Sequence, residues 1–106
     1  MDNKTRLLLT IITEMSLEKT LTKELQELGA LGYTITNARG RGSRGARRSH
    51  WDVESNIRIE IVCTDDIARV ITERMQEKYY EHFGMIIFSH EVSVLRSNKF
   101  IDNNLL

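Results

Sequence analysis

The sequence has only one cysteine, Cys63, so no internal disulfide framework can form. It has three histidines, His50, His82 and His90, and no two of them stand at ligand spacing. No metal site is therefore expected. Cys63 closes an apolar stretch and reads as core; His90 falls on a strand face and is expected to be packed or hydrogen-bonded. No apolar run approaches the roughly 18 residues that a membrane-spanning helix requires. The opening MDNKTRLLLTII sets charge before a short apolar stretch, but Glu14 interrupts the run and no small-residue cleavage site follows. It does not read as a signal peptide, and the expectation is a cytoplasmic chain. No Ser/His/Asp or Cys/His arrangement can be argued from spacing. Asp65 and Asp66 read as charges at a helix N-terminus rather than a catalytic pair, so the chain reads as a binding protein and not an enzyme.

Acidic residues are missing from one long stretch. Between Leu31 and Trp51 there are none, while Arg39, Arg41, Arg44, Arg47 and Arg48 all fall there. The whole chain is nevertheless neutral, with 15 basic and 15 acidic residues. An acidic body with one cationic loop points to a localised anion site, not to a generally basic surface.

The 106 residues amount to one domain. TRLLLTIIT at 5–13 reads as a buried strand. Ser16 is placed as the N-cap of a helix with Glu18 in its first turn, and Leu17, Leu21, Leu25 and Leu28 share one face. Gly29 and Gly32 end it. A second strand follows at 33–38, then a glycine- and arginine-rich loop from about Arg39 to Ser55, then a third strand at 56–63 (NIRIEIVC). Thr64 or Asp65 caps a second helix that carries Ile67, Val70, Ile71 and Met75 along one side. The segment EHFG breaks that helix before a fourth strand at 85–95. The order βαββαβ is that of an α+β, ferredoxin-like fold: a four-stranded antiparallel sheet with two helices on one face. The other face needs cover, and a homo-oligomer would supply it. Residues 1–95 form the expected domain, and the polar segment 96–106 a loose tail.

The loop carries the chemistry. Gly40, Gly42 and Gly45 let backbone amides approach an anion, and Ser43 adds a hydroxyl donor. Arg44 and Arg47 can each grip phosphate oxygens with two parallel hydrogen bonds, and three-residue spacing lets both reach one phosphate. The string Gly40-Arg-Gly42-Ser-Arg-Gly45 matches GxGxxG, but the dinucleotide fingerprint requires a helix directly afterwards, and a strand follows here. The plain alternative is a solvated hairpin loop with incidental charge; five arginines without one acid argue against it.

Three stretches together resemble the PII superfamily: Gly29-Ala-Leu-Gly-Tyr-Thr-Ile-Thr-Asn37, Gly40-x-Gly-Ser-Arg-x-x-Arg47 and Val53-Glu-Ser-Asn-Ile-Arg-Ile-Glu60. Lys78-Tyr-Tyr-Glu-His-Phe-Gly-Met-Ile-Ile87 is similar to that family's helix-to-strand turn. Within the superfamily the chain looks most like the SbtB-like and carboxysome-associated PII-like proteins. The resemblance implies a homotrimer with an adenine nucleotide (ADP or AMP, with ATP and cyclic AMP as further candidates) in the clefts between subunits. It implies that 39–55 is the T-loop, that Gly42, Ser43, Arg44 and Arg47 meet phosphate, and that Gly40 belongs to the same nucleotide site. Asn56 and Arg58 would line the site from strand three, and Phe83, Gly84 and Met85 from the turn before strand four. It implies an effector rather than a cofactor, bicarbonate as a second small-molecule ligand, and regulation of a partner such as a bicarbonate transporter, which would bring the protein to the membrane periphery. Two departures stand out. Residues 39–55 hold no tyrosine for uridylylation, and 96–106 hold neither the cysteines nor the proline of an SbtB-type redox tail.

Two other readings compete. A small nucleotide phosphatase would need a positioned base or a metal beside the arginines, and neither is evident. RNA-recognition domains share βαββαβ order but stack bases on aromatics of strands one and three. LLLTIIT and NIRIEIVC have none, which leaves an Arg/Gly loop as the only RNA-binding feature.

Overall fold

A computed structural model of the chain describes residues 4–40 and 55–95. Residues 41–54, most of the expected T-loop, and 96–106, the expected tail, lie outside the described residues. The described elements run β1 (Lys4–Glu14), a 3-10 turn (Met15–Leu17), α1 (Glu18–Glu27), β2 (Thr34–Ala38), β3 (Asn56–Cys63), α2 (Asp65–Lys78) and β4 (Met85–Val94). This is the expected βαββαβ order. The strands form one antiparallel sheet in the order β2-β3-β1-β4.

The pleat divides the strand residues cleanly. On β1, Leu9 and Ile11 pair with Ile61 and Ile59 of β3 and lie against both helices. Leu21 and Leu25 of α1 and Ala68, Ile71 and Met75 of α2 close the same core. Alternation then sends Leu8, Ile12, Val62, Ile86, Phe88 and Val92 to the opposite face. Ile86 and Phe88 remain 54% and 41% exposed there, so the sheet has an uncovered apolar side, as the pattern predicted.

Three local expectations are corrected. Ser16 does not cap α1: a 3-10 turn occupies 15–17, Glu14 and Leu17 hold the two cap positions, and neither makes a side-chain cap hydrogen bond. The Met15 N–H instead donates to the Ser55 carbonyl at 2.7 Å, which carries the β1–β3 pairing one step past the strand and delays the helix. Val70 is not part of the apolar face of α2. It is exposed, and Ala68 takes the core position. His90 is exposed beside Leu8 on the open face rather than packed. The Thr64 cap is as expected, its hydroxyl accepting from the Ile67 N–H at 3.5 Å.

The end of α1 depends on Gly29. The Ala30 N–H reaches back to the Leu25 carbonyl at 2.9 Å and the Gly29 N–H to that of Gln26 at 3.2 Å. This is the Schellman arrangement, which needs a left-handed residue between, and Gly29 has φ +103°. Ala30 and Leu25 are both buried at the same place. Gly29→Ala should destabilise the fold by about 1–2 kcal/mol, the cost of a Cβ in the left-handed region. Urea denaturation checks it, with an unchanged m-value expected.

Candidate functional site

One end of the sheet gathers the ends of all four strands. Ala38 of β2 pairs with Asn56 of β3, and Asn56 with Glu14 of β1. Thr13, next to Glu14, pairs with Ile57 on one side and with Met85 of β4 on the other. Both ends of the arginine loop are therefore fixed here, through Ala38–Gly40 and through Ser55–Asn56.

The turn leading into β4 arrives at the same end. It leaves α2 through Tyr79, whose N–H donates to the Met75 carbonyl at 2.9 Å and whose own carbonyl accepts from His82 and Phe83 N–H at 3.1 and 3.0 Å. The Tyr79 and Phe83 rings meet at 5.9 Å between centroids, tilted by 59°. Gly84 is held by its backbone. Its N–H donates to the Glu14 carboxylate at 2.8 Å, and its carbonyl accepts from the Thr13 hydroxyl at 2.7 Å.

The structure thus brings Gly40, Asn56, Arg58, Phe83, Gly84 and Met85 to one region, but not onto one surface. Asn56 and Arg58 point to the open face, where Arg58 donates from Nε to Glu60 at 3.3 Å and stays half-exposed. Phe83 and Met85 pack against the core on the helix side. Asn56 is itself buried. Gly40 lies just past the end of β2. A Cβ there would meet nothing within 4 Å, so the chain's own packing does not require glycine. Gly42, Ser43, Arg44 and Arg47 lie outside the described residues. Among the described residues no group of His, Cys, Asp and Glu side chains converges as metal ligands, and no helix is long and apolar enough to cross a membrane. An open groove of about 260 Å³ lies at the other end of the sheet, lined by Arg6, Asp65 and Glu91 among others. Its two carboxylates make it a poor host for a polyanion.

Two sets of residues were missed by sequence reasoning. In the sequence Thr13 reads only as the last residue of a strand and Glu14 only as the charge that interrupts the apolar run, whereas β1 includes both. Behind the turn, Glu24 is 5% exposed and buried between the helices. Its carboxylate accepts from Arg74 Nη1 at 2.9 Å, Lys78 Nζ at 3.0 Å and the Tyr79 hydroxyl at 2.5 Å. The signal was available: Glu24 falls three residues after Leu21 and four before Leu28, on the apolar stripe of α1. Burial pushes the Glu24 carboxyl up, but the hydrogen bonds from Tyr79, Arg74 and Lys78 outweigh it and hold it below its ordinary value. Burial, then the bond to Glu24, pushes the Tyr79 phenol up to about 12. Burial, then the Asp65 charge, pushes the Cys63 thiol up to about 11, so it stays protonated and unreactive near neutrality.

Residues 6–99 match the family model of the nitrogen regulatory protein P-II. The chain belongs to the P-II family, whose members are trimers. Among solved structures it is similar to a PII-like signalling protein of Thermus thermophilus, at 39% identity and TM-score 0.80, over 94% of this chain and 99% of that one. It is also similar to CPII of Thiomonas intermedia, a nitrogen regulatory PII-like protein bound to ADP, AMP and bicarbonate. That likeness is 25% identity and TM-score 0.80, over 94% and 97% of the two chains. The nitrogen regulatory protein GlnK2 of Haloferax mediterranei is 32% identical over 60 residues, 50% of this chain. The match spans about half, 49%, of that curated relative.

The ionised form of Glu24 is the one folding favours. Its contribution is present above the ordinary carboxylate range and is lost as pH falls through the lowered native value. Tyr79 works in the opposite sense: its contribution is present below pH 10 and is lost as pH rises through about 12. Tyr79→Phe should cost about 1.5–3 kcal/mol at pH 7, the scale of a hydrogen bond to a charged group. Denaturation from pH 7 down to pH 3 should show the gap between wild type and Glu24→Gln closing. The Cys63 thiol should resist alkylation at pH 8 in the native protein and react quickly in denaturant.

Proposed function

We propose that this chain is a PII-like signal-transduction protein whose homotrimer binds an adenine nucleotide, ADP or AMP, in the clefts between subunits. In this reading bicarbonate is a second effector. Occupancy reports energy and inorganic-carbon status to a partner, such as a bicarbonate transporter, from the cytoplasmic side. Binding involves no chemistry on the ligand. Residues 1–95 are the sensing domain, with 96–106 a tail. Within 39–55, Gly40, Gly42, Ser43, Arg44 and Arg47 take the phosphates. Asn56 and Arg58 contribute from β3, and Phe83, Gly84 and Met85 contribute chiefly through their backbone.

The carrying observation is the meeting, at one end of the sheet, of both loop anchors with the Gly84 turn. Three things support it: membership of the P-II family, the ligands of CPII, and an uncovered sheet face that a trimer would bury. The open space at Gly40 suits close approach of a ligand. Because Asn56 is already buried, its role is to fix the loop base more than to meet the nucleotide.

Calorimetric titration with ADP, AMP, ATP and cyclic AMP, each with and without bicarbonate, should give saturable micromolar binding of at least one. Binding of none would redirect the assignment to a protein or nucleic-acid partner. Arg44→Ala should weaken that binding by about 1.5–3 kcal/mol. Gly40→Ala should leave stability within about 0.5 kcal/mol of wild type, as expected away from packed sites, while weakening nucleotide binding. Light scattering should give three times the 12.3 kDa chain mass; a monomer would remove the clefts.

A further inference from the structure

We propose that Thr13 and Glu14 are positioning residues for the ligand turn: they grip Gly84 by both of its backbone groups and so fix where Phe83–Met85 presents its amides. The proposal rests on the nucleotide-binding reading above. Consecutive strand residues point to opposite faces. Thr13 therefore reaches the Gly84 carbonyl from the helix side at 2.7 Å, and Glu14 reaches the Gly84 N–H from the open side at 2.8 Å. The peptide segment is straddled by the last two residues of β1.

Neither contact is incidental to folding geometry. Thr13 is 2% exposed, so its hydroxyl needs an acceptor in place, and the Gly84 carbonyl is that acceptor. From its own side the turn is tied through the Tyr79 carbonyl, which accepts from His82 and Phe83 and stops one residue short of Gly84. The residue after Glu14 completes the arrangement: the Met15 N–H donates to the Ser55 carbonyl at 2.7 Å, where the arginine loop returns to β3. The three-residue stretch 13–15 thus touches the turn with its first two members and the loop base with its third. It ties together the two parts of the proposed ligand site, which are far apart in sequence.

The test uses the full-length chain and two pairs of variants. Thr13→Val removes only the hydroxyl; Thr13→Ser keeps it. Glu14→Ala releases the Gly84 N–H; Glu14→Gln keeps an acceptor without the charge. Hydrogen–deuterium exchange should be faster across residues 80–86 in Thr13→Val and Glu14→Ala, close to wild type in Thr13→Ser and Glu14→Gln, and unchanged across α1 in all four. ADP affinity by calorimetry, well below the unfolding temperature, should fall at least fivefold in Thr13→Val and recover to within twofold in Thr13→Ser. Lower thermal stability with unchanged ADP affinity, or unchanged exchange across 80–86, overturns the proposal. A wild-type chain that binds no adenine nucleotide overturns the functional reading instead, and the exchange comparison then still decides whether the two side chains anchor the turn.

Discussion

The antiparallel register of β1 is the constraint on which the site depends. β1 is an interior strand, paired along its length with β3 on one side and β4 on the other. Its Leu9 and Ile11 are committed to the helix-side core. Slipping either neighbour by one residue would turn buried isoleucines of β3 or Ile87 of β4 toward the open face. The hydrophobic pattern therefore fixes the pairing, and the pairing in turn fixes which polar residues end up side by side. Ala38, Asn56, Glu14 and Met85 become neighbours because the apolar residues several positions away have no other good arrangement.

The second constraint is a buried charge. Glu24 on α1 faces two cations and a phenol from α2 and the turn after it. A carboxylate placed there without partners would be costly, and its three partners tie α1 to α2 and to the residue that follows it. Tyr79 belongs to this cluster and also begins the turn to Gly84 through its carbonyl. Helix packing and the geometry of the turn are thus linked through a single residue.

Much of this was legible in the sequence. The β3 segment NIRIEIVC can be read to the residue, because strict alternation of isoleucine with Arg58 and Glu60 has no helical interpretation. The open sheet face was visible in Ile86 and Phe88. That Asn56, Arg58, Phe83, Gly84 and Met85 share one end of the sheet follows from the strand order, but the faces they take do not: strand parity, which separates Arg58 from Met85, only acts once register is known. The start of α1 was misplaced because Ser16 is a good local cap, whereas the actual boundary is set by a hydrogen bond from Met15 to Ser55, about forty residues along the chain. No local rule sees such a contact. Thr13 and Glu14 were invisible for the same reason, since their partner Gly84 is about seventy residues away.

The pairing of Ala38 with Asn56 has an evolutionary consequence. The segment between them starts and finishes at adjacent strand positions, so its ends are held together by the sheet whatever its sequence. Closing a longer connection at that point costs only about 0.6 kcal/mol for each doubling of length. The body of the protein can thus tolerate wholesale exchange of residues 39–55 without altering its core. What the segment recognises can therefore be rewritten while the strand pairing beneath it stays as it is.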